Sequence, residues 1–391
     1  MTLAPDRAPA LHLVPGVPGV PDSPAGPFGA GVLGEEVDLD TEVVLRQRIV
    51  EARDLVTFVW EPVTRPVGGL LAFRPGQYVT LTAGIGGESV ERCYTISSPP
   101  TRPHLLTTTV KRVEGGRMSP WLHDRLEVGG RVHLRGPMGD FTVSEHPARR
   151  YLLLSAGSGV TPTLSTVRAM ADLAALGSLG PGPDGLDVVV LHSARTPDDL
   201  PCRTELEALA ATHPGLRLVW TVDDVPAQPG AGHAWTGYRG MLTSAVLAAA
   251  VPDLAQREVM LCGPDGYRAA VRSMLAELGA DLTRCHEESF VVAEAVAPEA
   301  VEGAAGATVR FGRSGREVHC APGTTVLDAA RQAGVRLPSS CASGLCGTCK
   351  STLLSGRVDM RHQGGIRPRE IAQDRFLPCC SVPDGDIVVD A

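Results

Sequence analysis

The chain has 391 residues, too many for one ordinary core and enough for two or three domains that each bury an apolar interior. Its 36 Lys and Arg against 44 Asp and Glu leave a formal net charge of −8, so there is no basic field to attract nucleic acid. No apolar run approaches the roughly 20 residues that a membrane-spanning helix requires, which excludes a helical membrane anchor from the expected features.

Residues 1–37 are rich in Pro, Gly and Ala and lack a basic stretch followed by an apolar one. They read as a flexible tail rather than a secretory signal. A cytoplasmic location is therefore expected, and the ten cysteines are expected to be reduced there. In such a compartment a tight cysteine cluster points to metal or redox chemistry more than to disulfides.

Residues 38–145 read as short strands (EVVLRQRIVEA, TFVWEPV, GQYVTLTAG, HLLTTTVKRV, RVHLRGPMG) separated by Gly and Pro turns, the pattern of an antiparallel β-barrel. RCYTISS, residues 92–98, ends one of these strands, and its Arg, aromatic and hydroxyl groups are expected on one strand face. A surface strand with a polar face is the bland reading. In GGRMSPWLH, residues 115–123, glycines precede a Ser and a helix start, which exposes backbone N–H groups suited to a pyrophosphate.

From 146 to 290 the pattern changes to strand–helix alternation. YLLLSAG, DVVVLHSA, LRLVWTV and REVMLCG are the strands, and TLSTVRAMADLAAL, RTELEALAA and GYRAAVRSMLAELG the helices. This predicts an α/β domain with a doubly wound parallel sheet. SAGSGVTP, residues 155–162, joins the first strand to its helix. It departs from the full dinucleotide fingerprint, because Pro162 stands where a third Gly is usual. Gly157 and Gly159 still permit close backbone approach, and Thr161–Pro162 suits a helix first turn. In isolation this loop is also what an ordinary strand–helix turn looks like.

Residues 291–306 are small and aperiodic and read as a linker. The last domain, 307–391, opens with two short strands and one helix (TTVLDAARQAGV), an α+β pattern, and runs directly into CASGLCGTCK. Cys341, Cys346 and Cys349 have the C-x4-C-x2-C spacing of plant-type [2Fe–2S] sites. FLPCC offers Cys379 or Cys380 as the fourth thiolate. Gly344 and Gly347 suit a loop that turns its amides toward cluster sulfurs. Zinc is the rival metal, but structural zinc sites usually pair two short hooks and only one is present. The remaining Cys202 and Cys320 read as ordinary buried thiols.

These motifs together resemble the ferredoxin–NADP reductase superfamily over roughly residues 38–391, joined to a C-terminal β-grasp ferredoxin of the plant type. The resemblance implies that Arg92 pairs with a flavin phosphate, Tyr94 lies against the isoalloxazine and Thr95 bonds near its reactive nitrogen. Gly116, Met118 and Ser119 would hold a pyrophosphate, favouring FAD over FMN. It also implies that Cys262, in the Cys262–Gly263–Pro264 turn, touches the nicotinamide, and that Glu288 and Phe290 of HEESF approach the flavin. LPC in the family position selects Cys379 as the fourth cluster ligand. At the nucleotide ribose, Asp223 or Asp224 of TVDD would repel a 2′-phosphate and favour NADH. Arg195 of SART suits a phosphate and keeps NADPH open.

HQGGIRPREI, residues 362–371, is similar to a segment of the reductase subunits of glycine-betaine-type Rieske monooxygenases. The implied function is an oxidoreductase carrying electrons from NADH through FAD and [2Fe–2S] to a Rieske-type oxygenase that demethylates a quaternary amine. A hybrid-cluster protein, a separate ferredoxin or a cytochrome are the alternative acceptors, and a zinc-containing nucleotide-sensing module is the non-enzyme alternative. The last domain carries eleven Lys or Arg against eight Asp or Glu, a bias that can orient an acidic partner.

Overall fold

The computed structural model describes residues 37, 39–66, 69–176, 187–225, 235–290, 306–335, 337, 344, 347, 349–362 and 365–391. The expected N-terminal tail and linker fall almost entirely outside these residues, as do Cys341 and Cys346.

Six antiparallel strands form the first unit: β1 (Leu39–Ala52), β2 (Leu55–Pro62), β3 (Tyr78–Ile85), β4 (Glu88–Thr95), β5 (Leu106–Lys111) and β6 (Arg131–Met138). Their order is β4-β3-β6-β1-β2-β5, and an antiparallel bridge between Ile96 and Thr108 draws the two edges together. The inward residues, among them Val43, Phe58, Trp60, Leu81 and Leu134, make one apolar core. Each large side chain buried there contributes about 1.5–3 kcal/mol before entropy is subtracted. Trp60 brings a polar atom inside and satisfies it, its Nε1 donating to Thr108 Oγ1 at 2.9 Å. Helix α1 (Met118–Asp124) joins the same core through Met118 and Leu122.

The second unit is a six-stranded parallel sheet of β7 (Arg150–Ala156), β8 (Asp187–Ala194), β9 (Leu216–Val222), β10 (Tyr238–Arg239), β11 (Glu258–Cys262) and β12 (Cys285–Glu288). Its order, β10-β9-β8-β7-β11-β12, runs outward in both directions from β7. Continuous apolar runs such as YLLL follow from burial on both faces. Tyr151 and Leu153 pack with helices α2 (Val160–Ala175) and α3 (Arg203–Thr212), whereas Leu152 and Leu154 pack with α4 (Ser244–Ala250) and α5 (Asp265–Glu277). No described helix is long and apolar enough to cross a membrane.

The two units are bolted together through α2. Arg168 donates to the Ser97 carbonyl at 2.7 Å and pairs with Glu205 at 2.5 Å, while Arg102 pairs with the largely buried Asp172 at 2.6 Å. Cys202, which has a left-handed backbone (φ 49°), reaches from this domain to Glu51 of β1, 3.1 Å away.

The third unit has the sheet order β14-β13-β19-β15-β17, built from β13 (Ala307–Phe311), β14 (Arg316–Cys320), β15 (Ser351–Ser355), β17 (Arg375–Phe376) and β19 (Ile387–Val389). The β13–β19 pair is parallel and its neighbours are antiparallel. Helix α6 (Val326–Gln332) packs Val326, Ala329 and Ala330 on Val309, Phe311 and Ile387. Thr325 caps it by accepting from the Asp328 amide at 3.2 Å. A second pair, β16 (Val358–Met360) with β18 (Ser381–Pro383), and the short helix α7 (Pro368–Ile371) complete the described part of this unit.

Candidate functional site

Strand β4 carries the RCYT residues at the edge of the barrel. Here the expectation of three recognition groups on one face is corrected. Side chains alternate with period two, so Arg92 and Tyr94 share a face while Thr95, the next residue, takes the other. Tyr94 packs against the barrel core and Arg92 is solvent-exposed. Burial pushes the Tyr94 phenol well above its ordinary range. Thr95 is buried, and its Oγ1 has no hydrogen-bond partner among the described residues.

The GGRMSP segment forms a tight turn into α1. Gly116 N donates to the Val113 carbonyl at 3.1 Å, and the Val113 amide donates to Ser119 Oγ at 3.1 Å. A side chain at Gly116 would press on the Val113 carbonyl and Ser119 Oγ, 3.0 and 3.3 Å from a Cβ. Met118 turns its side chain into the core, which leaves its main chain as what it can present to a phosphate.

A cavity of about 550 Å³ opens at the carboxyl ends of the parallel strands, where open α/β sheets bind ligands. It brings together Gly157, Arg195, Asp223 and Pro264 of the anticipated set. It also recruits residues that the motifs did not single out: Asp54 and Lys111 from the barrel, and Met241 and Tyr267 from the nucleotide domain. Arg195 Nη2 lies 3.3 Å from Asp54 Oδ2 and 3.4 Å from Asp199 Oδ1, so two carboxylates already engage this exposed guanidinium.

The loops after β7 and β11 meet at the point where the strand order reverses. A Cβ on Gly159 would lie 2.3 Å from the Cys262 carbonyl oxygen and 2.8 Å from the Gly263 amide. Gly159 is thus demanded by contact between the two loops. Thr161 Oγ1 donates to the Ser158 carbonyl at 3.1 Å, and Pro162 lines a small void with Cys262.

Cys262 stands opposite Ser155 on one side and Glu288 on the other in parallel register. Both Cys262 and Glu288 are buried, at 1% and 7% exposure. Burial raises the Cys262 thiol well above its ordinary range, with nearby Glu288 adding to the effect. Burial likewise pushes the Glu288 carboxyl up to about 8, with Cys93 a lesser contributor. Glu288 Oε2 has no partner among the described residues, and Phe290, two residues on, is 39% exposed. Two buried, unpartnered oxygens, Thr95 Oγ1 and Glu288 Oε2, fit a ligand whose ring edge offers both donors and acceptors.

In the third unit, Cys349 Sγ and Cys379 Sγ are buried 3.2 Å apart, and Gly344 N donates to Cys379 Sγ at 3.3 Å. Cys380 instead turns its thiol toward the Leu377 carbonyl at 3.6 Å. Gly344 and Gly347 both have a left-handed backbone, φ +75° and +68°, and a Cβ on Gly344 would meet Cys380 Sγ at 2.6 Å. Ile366 of the HQGGIRPREI segment packs with Cys349, Leu377 and Cys379. A buried thiol pair with an inward-turned amide fits an iron–sulfur cluster.

Comparison with known proteins bears on all three units. Family models match an oxidoreductase FAD-binding domain over residues 45–143, an oxidoreductase NAD-binding domain over 153–273 and a 2Fe-2S iron-sulfur cluster binding domain over 309–384. The glycine betaine monooxygenase reductase subunit of Pseudomonas aeruginosa is 39% identical over 88% of this chain and 93% of its own length. The chain belongs to this reductase family. It is an oxidoreductase with FAD, a nicotinamide nucleotide and a [2Fe–2S] cluster as its cofactors. The stachydrine N-demethylase reductase subunit Stc4 of Rhizobium meliloti is 38% identical to the reductase over 88% of the chain and 94% of its own length. NADH oxidoreductase HCR of Escherichia coli is 32% identical over 81% of the chain. Among solved structures, the FAD/NAD-binding domain of a Vibrio cholerae nitric oxide dioxygenase superposes with a TM-score of 0.55 at 26% identity, covering 64% of the reductase and 99% of that chain. A self-sufficient cytochrome P450 monooxygenase, 23% identical, shares the fold over 90% of the reductase, with a TM-score of 0.63.

Proposed function

We propose that the reductase takes hydride from NADH at the crevice between Cys262, Glu288 and Thr95 and delivers electrons singly to a Rieske-type oxygenase acting on a quaternary amine. The observation that carries this reading is the near-full-length similarity to reductase subunits whose names specify glycine betaine monooxygenase and stachydrine N-demethylase. Ile366 of the HQGGIRPREI segment packs with Cys349 and Cys379, which supports the same assignment.

When bound, the flavin and the cluster convert a two-electron hydride donor into a source of single electrons. The chain's own residues place and insulate them. Arg92, exposed on β4, would pair with a flavin phosphate, Tyr94 would lie against the ring, and Gly116, Met118 and Ser119 would hold the pyrophosphate at the turn into α1. Thr95 Oγ1 and Glu288 Oε2, both buried without partners among the described residues, would supply hydrogen bonds to the ring. Kept neutral by burial below about pH 8, Glu288 can donate where negative charge develops and adds no repulsion of its own. Cys262, an uncharged thiol in the same region, gives the nicotinamide an apolar contact. Gly157, Gly159, Thr161, Pro162, Gly263 and Pro264 shape the loops around the nucleotide. Cys341, Cys346, Cys349 and Cys379 would hold the cluster, and Phe290 would shield the flavin.

NADH is the preferred donor. Asp54, Asp199 and Asp223 line the cavity, and Arg195 is held by two of them, so a 2′-phosphate would meet carboxylates and find the Arg195 guanidinium engaged.

The test is reconstitution. The purified reductase is mixed with a Rieske oxygenase from the same genome and a quaternary amine such as glycine betaine or stachydrine, and amine-dependent NADH oxidation is followed with formation of the demethylated product. Coupled turnover is expected. Reduction of a hybrid-cluster protein, ferredoxin or cytochrome, with no coupling to any such oxygenase, would assign the acceptor to that second class, as similarity to HCR allows.

A further inference from the structure

The IRPRE segment does more than underlie the cluster loop, because it also reaches across to the flavin barrel. Arg367 donates through Nη2 to the Pro137 carbonyl near the end of β6. Beside that contact, a methyl group built on Gly347 would lie 3.5 Å from Met138 Sδ, so the cysteine loop lands on the adjacent barrel residue. Met138 in turn pairs with Tyr78, and Tyr78 with Thr95, which places Met138, Tyr78 and Thr95 in one row across three strands. Two strand spacings make that row about 10 Å long.

Arg367 is also tied back to the cysteines. Its amide donates to Glu370 Oε2 at 2.9 Å, and Glu370 pairs with Lys350, the neighbour of Cys349. The Gly365 amide donates to the Gly344 carbonyl at 3.0 Å, and Gly344 N donates to Cys379 Sγ. From Cys349 the chain leads directly to Lys350, and side-chain contacts then run through Glu370 and Arg367 to Pro137 on the barrel.

We propose that Arg367 is a positioning residue that latches the iron–sulfur loop onto β6 at Pro137–Met138 and so sets the rate of electron passage from flavin to cluster. The inference rests on the reading that Cys349 and Cys379 hold the cluster and that Thr95 borders the flavin. It does not depend on which protein accepts the electrons.

The experiment compares wild type, Arg367→Ala, Arg367→Lys and Met138→Trp as purified holoproteins with flavin and iron quantified. NADH-dependent ferricyanide reduction, which draws on the flavin, should stay within about twofold of wild type in all three variants. Stopped-flow reduction of the cluster by NADH should slow about tenfold or more in Arg367→Ala and Met138→Trp, the order of effect that misplacing a reacting partner has. Arg367→Lys should recover part of the rate, because an ammonium can still donate to a carbonyl. Hydrogen exchange provides a readout independent of turnover: amides of 135–139 and 366–371 should exchange faster in Arg367→Ala than in wild type. Unaltered cluster reduction and exchange in both Arg367→Ala and Met138→Trp would overturn the latch while leaving the reductase assignment intact. Loss of iron or flavin from Arg367→Ala would also overturn it, by showing that Arg367 serves folding. A wild-type protein whose cluster is not reduced by NADH would instead sink the underlying reading.

Discussion

Glu288 is a carboxyl that burial has made into a weak acid, and its titration is the most direct residue-scale handle on the site. The folded group keeps its proton up to about pH 8, whereas the ordinary value is 4.5. Between those values the folded state binds the extra proton, so stability falls as pH rises through that window and levels off above it. Glu288→Gln should flatten this dependence, seen as a melting temperature that changes less between pH 4.5 and 8 than in wild type. The same substitution should remove the limb near pH 8 from the pH profile of flavin reduction by NADH, since an amide cannot ionise. In the nucleotide cavity, Asp223→Ser removes one of the carboxylates proposed to face a 2′-phosphate. The ratio of kcat/KM for NADH over NADPH should then fall about tenfold, equivalent to about 1.4 kcal/mol.

At the scale of elements, the placement of α2 against the barrel decides whether the flavin strand and the nucleotide loops face one another. Arg168 is 11% exposed and serves both Ser97, three residues after Tyr94, and Glu205 of α3. Arg168→Met keeps the stem but leaves the Ser97 carbonyl and the Glu205 carboxylate without that donor. With Glu205 itself 40% exposed, water relieves part of the loss. A cost of about 1–3 kcal/mol is expected, measured as a lower urea midpoint. NADH-dependent ferricyanide reduction should drop with it, because the two halves of the crevice lose a shared bolt. None of Arg168, Cys202 or Glu51 stood out in the sequence. Each is an unremarkable member of a helix, turn or strand, and their meeting depends on how two domains pack.

For the whole molecule, the chain runs barrel, nucleotide domain, ferredoxin, whereas electrons enter at the second domain, pass to the flavin of the first and leave through the third, so the first two domains form a self-contained half. The Vibrio cholerae FAD/NAD-binding domain, aligned over 99% of its length to 64% of this chain, shows that such a half exists as a folded unit. A chain ending at residue 290 should therefore retain flavin and NADH–ferricyanide activity while losing iron and the ability to reduce cytochrome c. An unstable or flavin-free product would mean that the ferredoxin contacts at Pro137 and Met138 are needed to complete the barrel.

Local pattern alone determined much of this protein. Period-two strands identified the barrel, unbroken apolar strands alternating with helices identified the doubly wound sheet, and the spacing of Cys341, Cys346 and Cys349 identified the cluster loop. Those signals survive in one dimension because each depends on residues a few positions apart. The face taken by Thr95 was misjudged at that level, although alternation along a strand decides it. Only tertiary structure decided that Asp54 and Lys111 of the barrel wall the nucleotide cavity and that Gly159 yields to the Cys262 carbonyl. These are contacts between residues that packing brings together from distant parts of the chain, and sequence spacing carries no record of them.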